Sequence, residues 1–100
     1  MKKENKKYVI GVDGGGTKTR AVLANLEGKI LKISKTGSSN LRNVGLKITS
    51  LNISEAILEV VGGIRKKDIL SIFIALAAVE EEFKSQKEKL KRKILKNPKF

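Results

Sequence analysis

The sequence has 100 residues, 40% of them hydrophobic and only 4% aromatic, which suits one domain at most with a core of Ile, Leu, Val and Ala. It has no cysteine and no histidine, which excludes a disulfide framework, a thiolate metal site or an imidazole base within this chain and fits a reducing cytosol. The net charge of +12 raises nucleic-acid binding as a possibility, but the excess is mostly lysine at the two ends (Lys2–Lys7, Lys84–Lys99). No aromatics are interleaved with it to stack bases, so solvated lysines account for the pattern and nucleic acid is not the expected partner.

In chain order, residues 1–7 form a basic tail. The apolar run behind it is interrupted by Asp13 and lacks the h-region of a signal peptide. No stretch approaches a membrane span, so the expectation is a cytoplasmic protein with no membrane partner. Tyr8–Val12 is β-branched and aromatic and reads as a buried strand. Arg20–Ala24 reads as a second. Between them lies Asp13-Gly14-Gly15-Gly16-Thr17-Lys18-Thr19, a tight turn with a carboxylate at its entrance and hydroxyls at its exit.

Glycines without a Cβ let backbone N–H groups approach a ligand and adopt φ > 0 freely, and a row of such N–H groups forms a nest for anions. Thr17, Thr19 and Lys18 add donors and a charge. Asp13 has the wrong sign for phosphate and the right sign for Mg²⁺, which favours carboxylate plus phosphate oxygens and keeps much of its water. Gly14 to Thr19 with Asp13 thus describe a clamp for the phosphates of Mg·ATP. The Walker loop and the dinucleotide fingerprint both need a helix after their glycines, whereas a strand follows here. The plain alternative is an ordinary glycine-rich hairpin turn.

Asn25–Lys29 is a turn with Gly28 at positive φ, and Ile30–Lys35 a third strand at or near a sheet edge, where lysines discourage edge pairing. The three strands make an antiparallel meander. Thr36–Asn40 is a polar loop. Val44, Ile48, Leu51, Leu58 and Val61, widened by Ile57 and Val60, predict one helix over 44–61. Asn52-Ile53-Ser54-Glu55 offers a capping box for a second helix, but a break there would strand Ile48 and Leu51. Gly62-Gly63 ends the helix. Asp68–Ala78 is a continuous apolar run, expected to be a strand buried on both faces and parallel to the first through a right-handed crossover. Its end would face the glycine turn, where open α/β sheets bind ligands. Val79 to about Leu95 predicts a last helix whose charges suit its dipole, stopped by Asn97-Pro98.

The segment YVIGVDGGGTKT (Tyr8–Thr19) resembles the first phosphate motif of the actin/hexokinase/Hsp70 superfamily, and more narrowly the BadF/BadG/BcrA/BcrD ATPase family, which includes N-acetylglucosamine kinases. The likeness continues through NLEGKIL (Asn25–Leu31), GSSNLRNVG (Gly37–Gly45) and, more weakly, IALAAVE (Ile74–Glu80). It implies an α/β, ribonuclease H-like, actin-type ATPase subdomain: a three-strand meander, a helix, a parallel strand and a helix, incomplete. Residues 8–100 would be its N-terminal portion.

It also implies ATP and Mg²⁺ as cofactors, an amino sugar as substrate, and Asn40 with neighbouring Ser39 as the sugar contact. By composition alone the Thr36–Asn40 loop is a connector. Relatives often carry Gly-Leu-Ala/Ser-Gly where this chain has Ala75-Leu76-Ala77-Ala78, which puts sugar specificity and activity in question. No acidic residue of the chain is placed as a base, Asp13 being assigned to the metal, and the second phosphate loop and adenosine pocket cannot be located.

The chain therefore reads as the N-terminal part of a sugar kinase, inactive alone. The remaining kinase domain or a partner chain would cover its open edge. The alternatives are an ATPase activator of the 2-hydroxyacyl-CoA dehydratase type, disfavoured without cysteine, and a non-catalytic sugar-sensing or assembly protein.

Overall fold

The computed structural model describes residues 6–76 together with Lys89 and Arg92. Three strands run first, β1 (Tyr8–Gly14), β2 (Thr19–Asn25) and β3 (Ile30–Thr36), then the helix α1 (Leu41–Val61), and finally β4 (Ile69–Leu76). They form one four-stranded sheet in the order β3-β2-β1-β4. β1 pairs antiparallel with β2, β2 antiparallel with β3, and β4 parallel with β1. The meander, the crossover helix and the parallel return strand are those expected, with β3 at an edge. The helix expected over 79–95, Ala77, Ala78 and residues 1–5 lie outside the described residues.

The turn residues behave as their chemistry demands. Gly28 takes φ 87° in the β2–β3 turn, where Asn25 Oδ1 accepts from the backbone N–H groups of Glu27 and Lys29. Gly62 caps α1 in a left-handed conformation, its N–H bonded to Leu58 O.

One helix covers one face of the sheet. Ile10 and Val12 of β1, Ala21 and Leu23 of β2, and Ile53, Ala56, Ile57 and Val60 of α1 form the buried cluster. β3 adds little apolar bulk and is tied to the helix instead by polar groups. Ser34 Oγ donates to Ala56 O at 2.6 Å, and Thr36 Oγ1 donates to Asn52 O at 2.6 Å.

Three expectations need correction. First, α1 begins at Leu41 with Asn40 as its cap and breaks helical geometry at Gly45 (φ 81°, ψ 175°). Second, its buried face matches the predicted stripe only in part: Ile57 and Val60 are buried and Val61 packs against the core. Ile48 and Leu51 are exposed, while Thr49, Ile53, Ala56, Ile57 and Val60 face inward. The inner face carries the small hydroxyl residues Thr49, Ser50 and Ser54, so hydropathy alone misplaced the face around Ile48 and Leu51. Ser50, buried beside them, settles its own hydroxyl on Lys47 O. Third, β4 is not buried on both faces. Phe73 on its outer side is 69% exposed, because no described element covers that face.

The uncovered face is grooved. Gly11 leaves open space above β1, and Val22, Phe73 and Ala75 line a groove of about 520 Å³ that reaches Asp13 and Arg20.

At the sheet end remote from the glycines, Asp68 receives Lys7 Nζ at 3.4 Å and Arg65 Nε at 3.3 Å. Partial burial pushes its carboxyl upward. The hydrogen bond from Lys7 and the charge and hydrogen bond of Arg65 outweigh that, leaving it below its ordinary value. A depressed folded value means that this contribution to stability is complete above the ordinary carboxylate range, about pH 4, and is lost as pH falls through the folded value. Asp68→Asn should therefore flatten the acid limb of a stability–pH curve below about pH 4. An unchanged limb in urea titrations would show the two cations to be idle.

Candidate functional site

The topology brings four things to one end of the sheet: the β1–β2 turn, the 37–40 loop after β3, the start of α1 and the C-terminal end of β4. In the ladders Gly14 lies opposite Thr19 in β2 and beside Leu76 in β4, and Asp13 lies opposite Arg20 and beside Ala75. Four residues, Gly15 to Lys18, make the turn, closed by Gly15 N–H donating to Lys18 O at 2.9 Å.

Each predicted residue has a distinct place. Asp13, Gly16, Thr17 and Lys18 are exposed, Gly15 half-buried, and Gly14 and Thr19 buried. Among the described residues the backbone N–H groups of Gly16, Thr17 and Lys18 have no hydrogen-bond partner. None of Gly14, Gly15 and Gly16 has a positive φ. These glycines therefore do not supply the left-handed positions of an alternating nest. The groups the turn leaves open to a ligand are three successive N–H groups, the Thr17 hydroxyl and the Lys18 ammonium.

Gly14 is required for a different reason: a Cβ there would lie 2.1 Å from Ser39 Oγ and 2.6 Å from Leu76 Cδ2. The glycine admits the 37–40 loop rather than a ligand.

That loop is fastened to the turn. Ser39 N–H donates to Gly15 O at 3.2 Å, and Ser38 Oγ to the same carbonyl at 3.4 Å. Thr19 Oγ1 donates to Gly37 O at 2.7 Å and shares a second 2.7 Å bond with Ser39 Oγ. A hydroxyl has one proton; with Thr19's given to the carbonyl, Ser39 supplies the proton between the two. Both side chains are fully buried, so they brace the site and offer no surface to a ligand in this conformation.

Asn40 is half-buried at the loop's end, its Oδ1 accepting from the N–H groups of Arg42 (3.0 Å) and Asn43 (3.2 Å) as the helix cap. Any contact with a substrate hydroxyl therefore falls to its Nδ2.

Asn52 was not anticipated in this region. Its Nδ2 donates to Ser38 O at 2.6 Å from the middle of α1. The available signal was an asparagine inside a helix, where such a side chain usually looks for backbone to bond.

The remaining carboxylates of the described residues stand elsewhere. Glu27 and Asp68 lie at the opposite sheet end, and Glu55 and Glu59 on the exposed side of α1. No group of three or more metal-ligating side chains occurs among the described residues. A metal here would rest on Asp13 plus phosphate and water.

The chain is thus an open α/β sheet of order 3-2-1-4 that carries a glycine hairpin and a polar loop at one end. The model of the BadF/BadG/BcrA/BcrD ATPase family matches residues 10–96, and the chain belongs to that family.

Among curated proteins, the glucosamine kinase GspK of Vibrio cholerae is 33% identical over 79 residues, covering 77% of this chain and 26% of its own length. A candidate N-acetylglucosamine kinase from Chromobacterium violaceum has the same fold, with TM-score 0.69 at 22% identity over 89% of this chain and 32% of that one. Gluconate kinase from Lactobacillus acidophilus superposes with TM-score 0.58 at 28% identity, over 71% of this chain and 15% of that one. The chain thus spans about a quarter of the length of the curated kinase it matches. No helix among the described residues is long and apolar enough to cross a membrane.

Proposed function

We propose that this chain is the phosphate-binding N-terminal part of an ATP-dependent kinase for N-acetylglucosamine or a related hexosamine. The observation that carries the reading is the Gly15–Lys18 turn, exposed from Gly16 to Lys18, with three open N–H groups beside the exposed carboxylate of Asp13. Gly16, Thr17 and Lys18 hold phosphate oxygens in this reading, with Gly15 closing the turn beneath them, Asp13 orients Mg²⁺ through water, and Asn40 Nδ2 donates to a sugar hydroxyl. Gly14, Thr19 and Ser39 shape the site from behind. A bound magnesium neutralises phosphate charge, which together with positioning is most of what phosphoryl transfer needs.

Asp13 is the one described carboxylate at this end of the sheet, and in this reading a further domain or partner chain supplies the base and the adenosine pocket. That partner would also cover the open edge of β4 and the grooved outer face. The chain alone is expected to show no steady ATP turnover. Ala75, beside Asp13 in the β1–β4 ladder, favours a second reading in which the fold senses sugar without catalysis. Its methyl stands where relatives often have glycine.

Amide NMR of the 100-residue chain titrated with Mg²⁺ and ATP tests the phosphate assignment. Shifts are expected at Gly15, Gly16, Thr17 and Lys18. Asp13→Asn should weaken the magnesium-dependent part of binding roughly tenfold, the scale of one charge-assisted contact. Shifts confined to the lysine-rich ends would refute the site.

A further inference from the structure

The loop carrying Asn40 has little hydrophobic content of its own, so something else must hold it. Thr36–Asn40 contains no apolar side chain, yet Ser39 in its middle is fully buried. Its anchorage is entirely polar and comes from two directions. In front, Gly15 O accepts from Ser39 N–H and Ser38 Oγ, while Thr19 engages Gly37 O and Ser39 Oγ. Behind, Asn52 Nδ2 donates to Ser38 O. Asn52 is itself gripped, because Thr36 Oγ1 donates to its backbone carbonyl. Its side chain also lies close over Gly37, where a Cβ would come within 3.0 Å of Nδ2.

We propose that Asn52 is a positioning residue, which holds the 37–40 loop from α1 and through it sets the carbonyl of Gly15 and the open N–H groups of the turn. Among the described residues Asn52 makes no hydrogen bond to the turn itself. Its influence passes through Ser38 and Ser39 to Gly15. The N–H of Gly16 follows the orientation of the Gly15 carbonyl, because the two belong to one planar peptide unit that turns as a whole. The 37–40 loop and the glycine turn thus behave as one body, and the amide of residue 52 joins that body to the helix. The ligand side of this proposal rests on the phosphate reading above; the mechanical side does not.

Amide exchange on the full chain without ligand comes first. The Ser39 N–H, bonded to Gly15 O, should be protected in the wild type. In Asn52→Asp the shape is kept, but a carboxylate replaces the donor facing Ser38 O, and Ser39 exchange should rise roughly tenfold, the scale of one lost hydrogen bond. Ser34→Ala is the control. It removes another buried tie between sheet and helix, Ser34 Oγ to Ala56 O, away from the loop, and should leave Ser39 relative to neighbouring core amides unchanged. If Asn52→Asp does not fold, Gly37→Ala, which crowds Asn52 Nδ2, serves in its place.

The second measurement is binding of magnesium tripolyphosphate, expected to weaken about tenfold in Asn52→Asp and not in Ser34→Ala. Unchanged Ser39 protection in the Asn52 variant overturns the proposal. Faster exchange with unchanged polyphosphate affinity also overturns it, reducing Asn52 to a structural tie. A wild type that binds no polyphosphate refutes the phosphate reading of the turn instead, and exchange alone then decides whether Asn52 sets the loop.

Discussion

Gly14→Ala is expected to cost about 3 kcal/mol of folding stability, while Gly16→Ala two residues later costs less than about 0.5 kcal/mol. The added methyl at position 14 would overlap Ser39 Oγ and the end of Leu76. Leu76 Cδ2 is the tip of a flexible side chain and can swing away. Ser39 Oγ cannot move without leaving Thr19, and both hydroxyls are buried. Expulsion of Ser39 therefore adds the penalty of unsatisfied buried polar groups to that of overpacking. At Gly16 a Cβ would meet nothing within 4 Å, and the backbone there is not left-handed. Urea titrations of the two variants separate structure from binding. Gly14→Ala should lose stability, whereas Gly16→Ala should keep it and weaken phosphate binding through crowding at the open N–H groups. Equal denaturation midpoints would show that the 37–40 loop does not pack on Gly14 in solution.

Leu23→Ala should be the most damaging simple truncation, at about 2–5 kcal/mol, and Phe73→Ala should cost under about 1 kcal/mol in the same chain. Ranked by side-chain size the order would be reversed. Leu23 is 1% exposed, between β1 and β3 under the Ile53–Val60 stretch of α1, whereas Phe73 is 69% exposed on the face without a covering element. The total stability of a small domain is about 5–15 kcal/mol, with one-sided cores at the low end, so Leu23→Ala should populate the unfolded chain heavily at 37 °C. Thermal unfolding followed by circular dichroism checks both. A Phe73→Ala loss as large as that of Leu23→Ala would mean that the outer face is covered by further polypeptide in this chain.

Much of the architecture is written locally. β-Branched runs marked the strands around Val9–Val12 and Arg20–Ala24, and Gly28 and Gly62 marked the ends of elements because their backbones had to turn left-handed. The rise of a continuous apolar run after Gly63 was enough to anticipate a parallel return strand. Helix phase was not legible in the same way. Ile48 and Leu51 are the larger apolar residues, but Thr49 and Ser50 are the ones whose size fits against the sheet.

The roles within the glycine motif divide along the same line. The amino-acid order alone determined that a glycine-rich turn with an acidic neighbour joins two strands, since these are properties of residue types and spacing. Only tertiary structure decided that Gly14 makes room for Ser39, that Thr19 and Ser39 are bracing hydroxyls, and that Asn52 reaches the loop. Each of these depends on contacts between residues more than a dozen positions apart. Such contacts exist only after the 37–40 loop and α1 are laid against the sheet, and no local preference encodes them.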